Sequence, residues 1–427
     1  MTIRLDQTAR QILQALESDY AGMPECDDGQ GAHWARLVER AARGHALYDS
    51  TFFRYLSRRI AGLADHNVCL LTGPNCSYTP QTCGFDVRRC GDELLVTRVR
   101  EDGRLRVGDA IVAIGGLAPD DCLARMAGNP TGSGDPERQR WEAVLADASH
   151  VDVRHADGST ARLRMRLYPI DARTADPCAG RTLGDGTFVL TVTELDDDAA
   201  AEVLRAHADE VARAPRLVMD LRTCAGGAEA NAYPLLAYAF DEATNLRDVQ
   251  APERVLTNYS PANCRRRLAQ VAQLRALADA RPDAVDDTTR AWMDDSERVV
   301  RENLDRGYVQ ETVTPDDLPI PAAPAGQRLV LLTDVTTADA AEWFVRTVSA
   351  SARALTVGRA TCGGLDYSNP LAMAFEDRFI LVYPMTKTKA CADGHGMRGV
   401  GLAPDVRVPL TPAECARDVV LERALQA

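Results

Sequence analysis

Two segments decide the fold of this chain: V-L-L-T-D-V-T-T-A-D-A-A-E at residues 330–342 and D-L-R-T-C-A-G-G at residues 220–227. Each belongs to an apolar run that ends in small residues, which is typical of a buried parallel strand. We therefore expect two strands that deliver polar turns to the same edge of a sheet. The first segment continues into a helical pattern, A-E-W-F-V-R-T-V. This predicts Asp339 at or inside a helix N-terminus, where open N–H groups and the helix dipole favour an anion.

These segments resemble motifs of the tail-specific, or C-terminal processing, serine peptidases. In that family a D-L-R-x-N-x-G-G segment supplies oxyanion-hole amides, and the serine of a segment like S-A-S-A-S-E is the nucleophile, three residues before the glutamate. The resemblance assigns the amide role to Gly226 and Gly227 and places Glu342 on the family's glutamate, which makes Glu342 a candidate for the catalytic set. Asp339 then stands in the serine position. A carboxylate therefore replaces the nucleophile, and the site is expected to have an altered catalytic set.

Two downstream segments extend the resemblance over most of the chain. V-G-R-A-T-C-G-G-L-D-Y-S-N at residues 357–369 resembles the family's V-G-x-x-T-x-G segment, and G-V-G-L-A-P-D at residues 399–405 resembles its closing G-I-x-P-D. The first of them is expected to form a wall of the substrate site through Gly363, Gly364 and Tyr367. Gly364 occupies the position of the lysine in relatives that use a serine–lysine dyad. The only lysines are Lys387 and Lys389, so a dyad at the familiar spacing is excluded.

Another branch of the family takes a histidine from an early turn of the D-G-H-T type. The matching stretch here is L-A-D-H-N-V-C-L at residues 63–70. Asn67 falls on the histidine position, and His66 lies one place earlier. The resemblance makes both residues candidates for the catalytic set, because a shift of one residue would bring His66 to the site.

The residues themselves leave several alternatives open at this site. Asp339 could act as a general acid–base group or nucleophile, or it could simply cap a helix, a place that aspartate favours. Cys224 and Cys362 each lie beside a glycine pair. An activated thiolate there could replace the serine, although a small buried cysteine has the same sequence signature.

The hydrophobic pattern divides the chain into three parts. Residues 1–78 read as a mainly helical N-terminal domain, including residues 34–47. Residues 79–170 read as short strands with glycine turns, and L-x-x-G-D-x-I-x-x-I-x-G at residues 105–116 resembles a PDZ domain, which would bind a peptide at a sheet edge or only hold the N-terminal domain in place. Residues 171–427 read as an α/β core with a mostly parallel sheet, of the crotonase-like type according to the resemblance. Residues 240–324 form a helical insertion in this core, either a lid or a solvated helical hairpin.

Composition narrows the classes of partner. The chain has 49 basic and 62 acidic residues, a net charge of −13, which argues against nucleic-acid and anionic-membrane partners. The N-terminal pattern carries charges throughout and no signal peptide is recognised, so we expect a cytoplasmic protein without a membrane span. Most of the 12 cysteines should then be reduced, and their spacing fits no metal motif. We expect no metal and no cofactor.

Two functions remain from different classes. The first is a tail-specific-peptidase-like enzyme that acts on a peptide or peptide-like substrate with an altered catalytic set. The second is a non-hydrolytic relative that binds peptides as a recognition or scaffold module. Retained glycine pairs and Glu342 favour the first, whereas loss of the serine and lysine favours the second. Fold alone cannot decide between them, since function resides in the site. The pattern says nothing of the oligomeric state.

Overall fold

The computed structural model describes residues 5–26, 49–126, 133–170, 177–281, 285 and 287–427. They form two compact units. The first unit comprises Met1–Thr79, Glu253–Val313 and Asp366–Gly396, and the second comprises Pro80–Pro252, Thr314–Leu365 and Met397–Ala427. This grouping differs from the three consecutive parts expected from the sequence. The reason is strand pairing, because parts of the predicted insertion and of the predicted core pair into the sheet of the first unit.

The first unit is built on a five-stranded antiparallel sheet. Its longest strand, Phe379–Thr388, pairs with Tyr367–Phe375 on one side and with Cys69–Thr72 and Glu253–Tyr259 on the other. Gly307–Val313 pairs with Glu253–Tyr259 and forms an edge. The strands at both ends of residues 253–313 therefore belong to this sheet. Residues 253–313 of the predicted insertion are consequently part of the first unit, whereas residues 240–252 and 314–324 belong to the second.

Helices pack on the sheet of the first unit, where Phe52 of helix Asp49–Ala61 and Phe379 of the sheet are both buried. The rings of Phe52 and Phe379 lie 4.4 Å apart between centroids. Helix Pro261–Ala280 starts with a proline, and the Ser260 hydroxyl accepts the N–H of Asn263 at 3.2 Å, an N-terminal cap. Residues 34–47, predicted to be helical, lie outside the described residues. The helices of this unit are Leu5–Ser18, Met23–Cys26, Asp49–Ala61, Pro261–Ala280, Asp287–Glu302 and Lys389–Ala392.

The second unit contains a six-stranded sheet that is parallel except at one edge. Apolar side chains alternate between its faces: Leu217 and Met219 pack in one core cluster, whereas Val218 and Val330 pack in another. Burial of both faces explains why these strands read as continuous apolar runs. The spatial order is Val406–Arg407, Ala354–Gly358, Arg328–Thr333, Arg216–Asp220, Phe188–Thr191 and the antiparallel edge strand Ala179–Thr182.

A five-stranded antiparallel sheet in the second unit follows the chain order and buries Trp141. Gly108 has φ +94°, and the neighbouring Asp109 carboxylate accepts the N–H of Arg106 at 2.8 Å, so the predicted tight turn is present. Its strands are Phe85–Cys90, Glu93–Val99, Ala110–Ile114, His150–Arg154 and Thr160–Arg164. Two short pairs complete the strands of this unit, Gln81–Thr82 with Tyr168–Pro169 and Thr244–Asn245 with Pro319–Ile320.

Overall the fold is mixed α/β, and parallel pairing is confined to the six-stranded sheet among the described strands. No helix in the described part of the chain is long and apolar enough to cross a bilayer. The helices of the second unit are Pro119–Ala124, Glu142–Asp147, Ala199–Ala206, Ala208–Arg213, Glu229–Ala232, Leu246–Val249, Asp339–Val348 and Val419–Gln426, with 3-10 turns at Pro136–Arg138, Tyr233–Tyr238 and Pro412–Cys415.

Candidate functional site

The two motif turns emerge side by side from the six-stranded sheet. Strands Arg216–Asp220 and Arg328–Thr333 are parallel neighbours, and the N–H of Leu221 donates to the Leu332 carbonyl at 3.0 Å, just beyond the paired residues. Parallel strands bring their carboxyl ends to one edge, where α/β proteins commonly form binding crevices. The expectation that both segments reach the same edge is confirmed.

Hydrogen bonds between the two turns fix the loop that precedes Asp339. The Thr337 hydroxyl donates to the Leu221 carbonyl at 2.9 Å, and the N–H of Ala338 donates to the Cys224 carbonyl at 3.1 Å. The Thr336 hydroxyl likewise donates to the Arg222 carbonyl. Both threonine hydroxyls therefore hold the loop in place, and neither is directed as a nucleophile.

Asp339 is the first residue of helix Asp339–Val348, as the sequence pattern predicts. The capping position itself belongs to Ala338, which has no side-chain cap. Asp339 has φ +53°, a left-handed conformation that costs a non-glycine residue about 1–2 kcal/mol. Such strain concentrates at functional sites. The geometry therefore favours a carboxylate held in a sharp strand-to-helix turn over a simple helix cap.

The Asp339 side chain lies directly against the glycine turn of the neighbouring strand. A Cβ atom on Gly226 would stand 2.7 Å from the Asp339 Cβ and 3.0 Å from its Oδ2. Gly227 is equally constrained, because a Cβ there would stand 2.3 Å from the Leu195 carbonyl oxygen. Both glycines also have positive φ, +139° and +131°. Only glycine fits at these two positions, so the close approach of the turn to Asp339 is built into the sequence.

The backbone on both sides of the glycine turn is held by hydrogen bonds to Leu195. The N–H of Leu195 donates to the Gly226 carbonyl, and the N–H of Ala228 donates to the Leu195 carbonyl, both at 2.9 Å. The Asn231 side chain adds a bond to the same Leu195 carbonyl at 2.8 Å. Within the described part of the chain no backbone carbonyl accepts from the N–H of Gly226 or Gly227. That Gly226 and Gly227 act as oxyanion donors stays a prediction from the resemblance.

Glu342 holds a loop of the site and is fully buried. Its Oε1 accepts the Thr361 hydroxyl and the N–H of Gly363, the latter at 2.7 Å, while Oε2 accepts the N–H of Gly364 at 2.7 Å. A carboxylate in a dry interior needs such donors to remain satisfied. Glu342 thus positions residues 361–364, and the N–H groups of Gly363 and Gly364 serve this anchor instead of facing a ligand.

Cys224 is a poor replacement for the missing serine. Its side chain is buried, and the thiol donates to the Gly226 carbonyl at 3.8 Å. Burial raises the pKa of the Cys224 thiol to about 12. Because the thiolate is the reactive form, this cysteine is inert at neutral pH. The structural interpretation of Cys224 is the better one, and the residue packs beneath the glycine turn.

His66, Asn67 and Tyr367 all belong to the first unit. The Asn67 side chain donates to the Tyr367 carbonyl at 3.0 Å, and its backbone N–H donates to the Asp65 carboxylate at 2.9 Å. Tyr367 is only 2 % exposed, and the Cys391 thiol donates to its hydroxyl at 3.3 Å. Asn67 and Tyr367 are therefore neighbours, and the turn is held by its amide groups. That this turn serves the Asp339 site stays a prediction from the resemblance.

Sequence reasoning missed three arginines that hold the site loops. Arg88 makes a bidentate ion pair with the buried Asp334 at 3.0 and 3.1 Å, and Arg359 contacts the same carboxylate at 2.8 Å. Arg138 donates to the Cys362 carbonyl at 2.6 Å. Arg88 and Arg138 lie far in sequence from their partners, so no local pattern marks them. Among the described residues no three His, Cys, Asp or Glu side chains are arranged to hold a metal ion.

Comparison with known proteins agrees with the fold and identifies the family. Residues 187–408, just over half of the chain, match the model of peptidase family S41. The chain is similar to the solved structure of mature CPAF complexed with lactacystin, at 14 % identity and TM-score 0.60, covering 99 % of this chain and 97 % of that one. It is also similar to a serine-to-alanine mutant of CPAF, at 14 % identity and TM-score 0.63, covering 98 % and 96 %. The chain belongs to peptidase family S41.

Proposed function

We propose that this protein binds a peptide or protein segment at the S41-type site and does not form a serine-type acyl-enzyme there. The observation that carries the proposal is the Asp339 side chain, which takes the nucleophile position and lies against Gly226. Attack by a carboxylate on a peptide bond would give a mixed anhydride, which is far less stable than the amide. A negative charge beside the glycine amides would also repel a developing oxyanion.

The other groups needed for acyl transfer are altered too. The lysine position is Gly364, and the histidine position is Asn67, whose amide is no base. Thr336, Thr337 and Cys224 are engaged in holding the turns.

The five-stranded antiparallel sheet is proposed as a PDZ-like module, and the six-stranded sheet as a crotonase-like core. The free cysteines fit the proposed cytoplasmic location.

A second candidate is hydrolysis with Asp339 as a general base that activates water. The strained backbone of Asp339 and the two donors at Gly226 and Gly227 favour it, since a polarised carbonyl could lie between them. In this case the carboxylate would act on water and no covalent intermediate would form. The two candidates make opposite predictions for turnover.

A mixed library of fluorogenic peptides tests both candidates on the same protein. Binding is followed by fluorescence anisotropy and cleavage by release of the fluorophore, in the wild type, Asp339→Asn and the control Asp393→Asn in the first unit. We expect binding without turnover in the wild type, and no labelling by a fluorophosphonate probe. Turnover that disappears only in Asp339→Asn would establish the second candidate. Absence of both binding and turnover would refute the proposed function.

A further inference from the structure

The peptide group between Cys362 and Gly363 lies between two opposite charges. Its carbonyl oxygen accepts from Nη2 of Arg138 at 2.6 Å, and its N–H donates to Oε1 of Glu342 at 2.7 Å. The two charged side chains are thus joined by a single peptide unit. Arg138 also donates through Nη1 to the Val400 carbonyl at 3.1 Å, so its second contact is again a neutral carbonyl.

We infer that Arg138 is a positioning residue which, with Glu342, forms a charge pair mediated by the peptide group between Cys362 and Gly363. A peptide unit carries a dipole of about 3.5 D with its oxygen negative and its N–H positive. Here the cation lies at the oxygen and the anion at the N–H, so both charges align with the dipole. Where water is excluded, as around the fully buried Glu342, such bonds polarise and strengthen one another. This arrangement fixes residues 361–364 from two sides.

The surroundings of each charge support this arrangement. Glu342 is 0 % exposed and accepts three donors, all of them neutral groups of residues 361–364. A buried carboxylate without an opposite charge would be costly. Burial lowers the pKa of Arg138, and electrostatic interactions with Cys362 and with the carboxylates of Asp135 and Glu342 oppose this shift. Arg138 and Glu342 do not contact each other directly. Through the peptide group between them, each side chain has an opposite charge nearby.

The position of Arg138 explains how it reaches the loop. It ends the 3-10 turn Pro136–Arg138, which Asp135 caps by accepting the N–H of Glu137 at 3.0 Å. On the other side of the loop the N–H of Cys362 donates to the Thr337 carbonyl at 2.8 Å, two residues before Asp339. The clamp on residues 361–364 is therefore linked to the turn that carries Asp339. The inference rests on the proposed function only in placing this loop at the ligand site.

Selective isotope labelling can observe this peptide group by itself. The sequence contains three Cys-Gly pairs, at Gly84, Gly91 and Gly363, so protein labelled with carbonyl-¹³C cysteine and ¹⁵N glycine gives only three correlated NMR signals. Labelling with carbonyl-¹³C and ¹⁵N glycine likewise isolates Gly116, Gly227 and Gly364, each preceded by another glycine. Gly364 is the best internal reference. Its N–H also donates to Glu342, but Arg138 contacts the peptide group between Cys362 and Gly363 and not the one that contains the Gly364 N–H.

The test compares Arg138→Met with Arg140→Met, an exposed neighbour that removes the same charge. We expect Arg138→Met to move the Gly363 amide proton and the Cys362 carbonyl carbon upfield, by more than Gly364, Gly84 and Gly91 move. Arg140→Met should leave all of them in place. Arg138→Gln keeps a donor without the charge and should move Gly363 in the same direction, which covers the case in which Arg138→Met does not fold.

Three outcomes would overturn the inference. The first is a Gly363 signal that moves no more than those of Gly84 and Gly91. The second is an effect of Arg140→Met equal to that of Arg138→Met. The third is a Gly364 shift as large as that of Gly363, which would indicate a general loss of loop structure. The measurement is made without peptide. A failure of peptide binding would therefore refute the proposed function and leave the mediated charge pair standing.

Discussion

The Asp339 side chain is packed so tightly against Gly226 that a methyl group on Gly226 would stand 2.7 Å from the Asp339 Cβ. Contacts between Cβ atoms this short do not occur in folded proteins, so the turn can approach Asp339 this closely only because residue 226 has no side chain. A glycine is required by the presence of the aspartate, in addition to its own φ of +139°. The two motif segments are therefore coupled at this point, and the coupling can be measured.

Gly226→Ala should destabilise the protein, and part of this loss should disappear when Asp339 is also replaced by glycine. The single substitution adds a clash with Asp339 and backbone strain, whereas the double variant keeps only the strain. We expect an interaction energy of roughly 0.5–3 kcal/mol from the double-mutant cycle, measured by urea unfolding. Asp339→Gly alone should cost little, because glycine relieves the left-handed conformation. Strictly additive effects would show that the two residues do not touch in solution.

Glu342→Gln should destabilise the protein by about 1.5–3 kcal/mol, the value of hydrogen bonds to a charged group. Glutamine keeps one carbonyl oxygen, so its NH₂ group would face the N–H of either Gly363 or Gly364, and that backbone group can only donate. Glu202→Gln on the exposed face of helix Ala199–Ala206 is the matched control and should change stability by less than about 0.5 kcal/mol. Equal urea midpoints for the two variants would contradict the anchoring role of Glu342.

Asp334 should make folding stability depend on acid pH. Burial raises the pKa of its carboxyl, but the guanidinium groups of Arg88 and Arg359 outweigh this, and the pKa is lowered on balance. A group with a lowered folded-state pKa stabilises the protein above its unfolded pKa, about 3.9, and this contribution is lost as pH falls through the folded pKa. Asp334→Asn should therefore be less stable at pH 7 by about 3–5 kcal/mol, as expected when one partner of a buried pair is removed.

The difference between the wild type and Asp334→Asn should shrink as pH falls below about 4. Urea unfolding at a series of pH values measures the free energy of unfolding of both proteins. Subtracting one from the other removes the contribution of the acidic groups that titrate in both. Asp393→Asn, at an exposed helix end, serves as the control. A difference that is constant down to pH 2 would mean that Asp334 is not the titrating member of this cluster.

Treatment of the native protein with iodoacetamide at pH 8 should leave Cys224 unmodified. The thiol is 0 % exposed and burial raises its pKa to about 12, so very little thiolate forms. Peptide mapping by mass spectrometry measures the modification of each cysteine. After unfolding in urea without reductant, all 12 cysteines should react, because none of them forms a disulfide in the structure. Rapid labelling of Cys224 in the native protein would contradict this prediction and make Cys224 a candidate nucleophile again.

The sequence by itself determined the parts of the site whose chemistry is local. The apolar runs before residues 220 and 334 indicate buried strands, and the helical pattern after Asp339 places a helix there. Glycine pairs mark turns that need positive φ, and the order of these motifs carried the resemblance to the S41 peptidases. These features depend on neighbouring residues, and a local pattern is enough to predict them.

Only the tertiary structure decided which distant residues share a role. The sequence placed Glu342 in the catalytic set, whereas its burial beneath residues 361–364 gives it a positioning role. Arg138 lies more than 200 residues before the peptide group that it holds. The segments at residues 253–313 and 366–396 joined the first unit because backbone pairing between strands follows register and not sequence distance. Hydrogen bonds and ion pairs act over a few ångströms of space, so the sequence alone contains no signal for them.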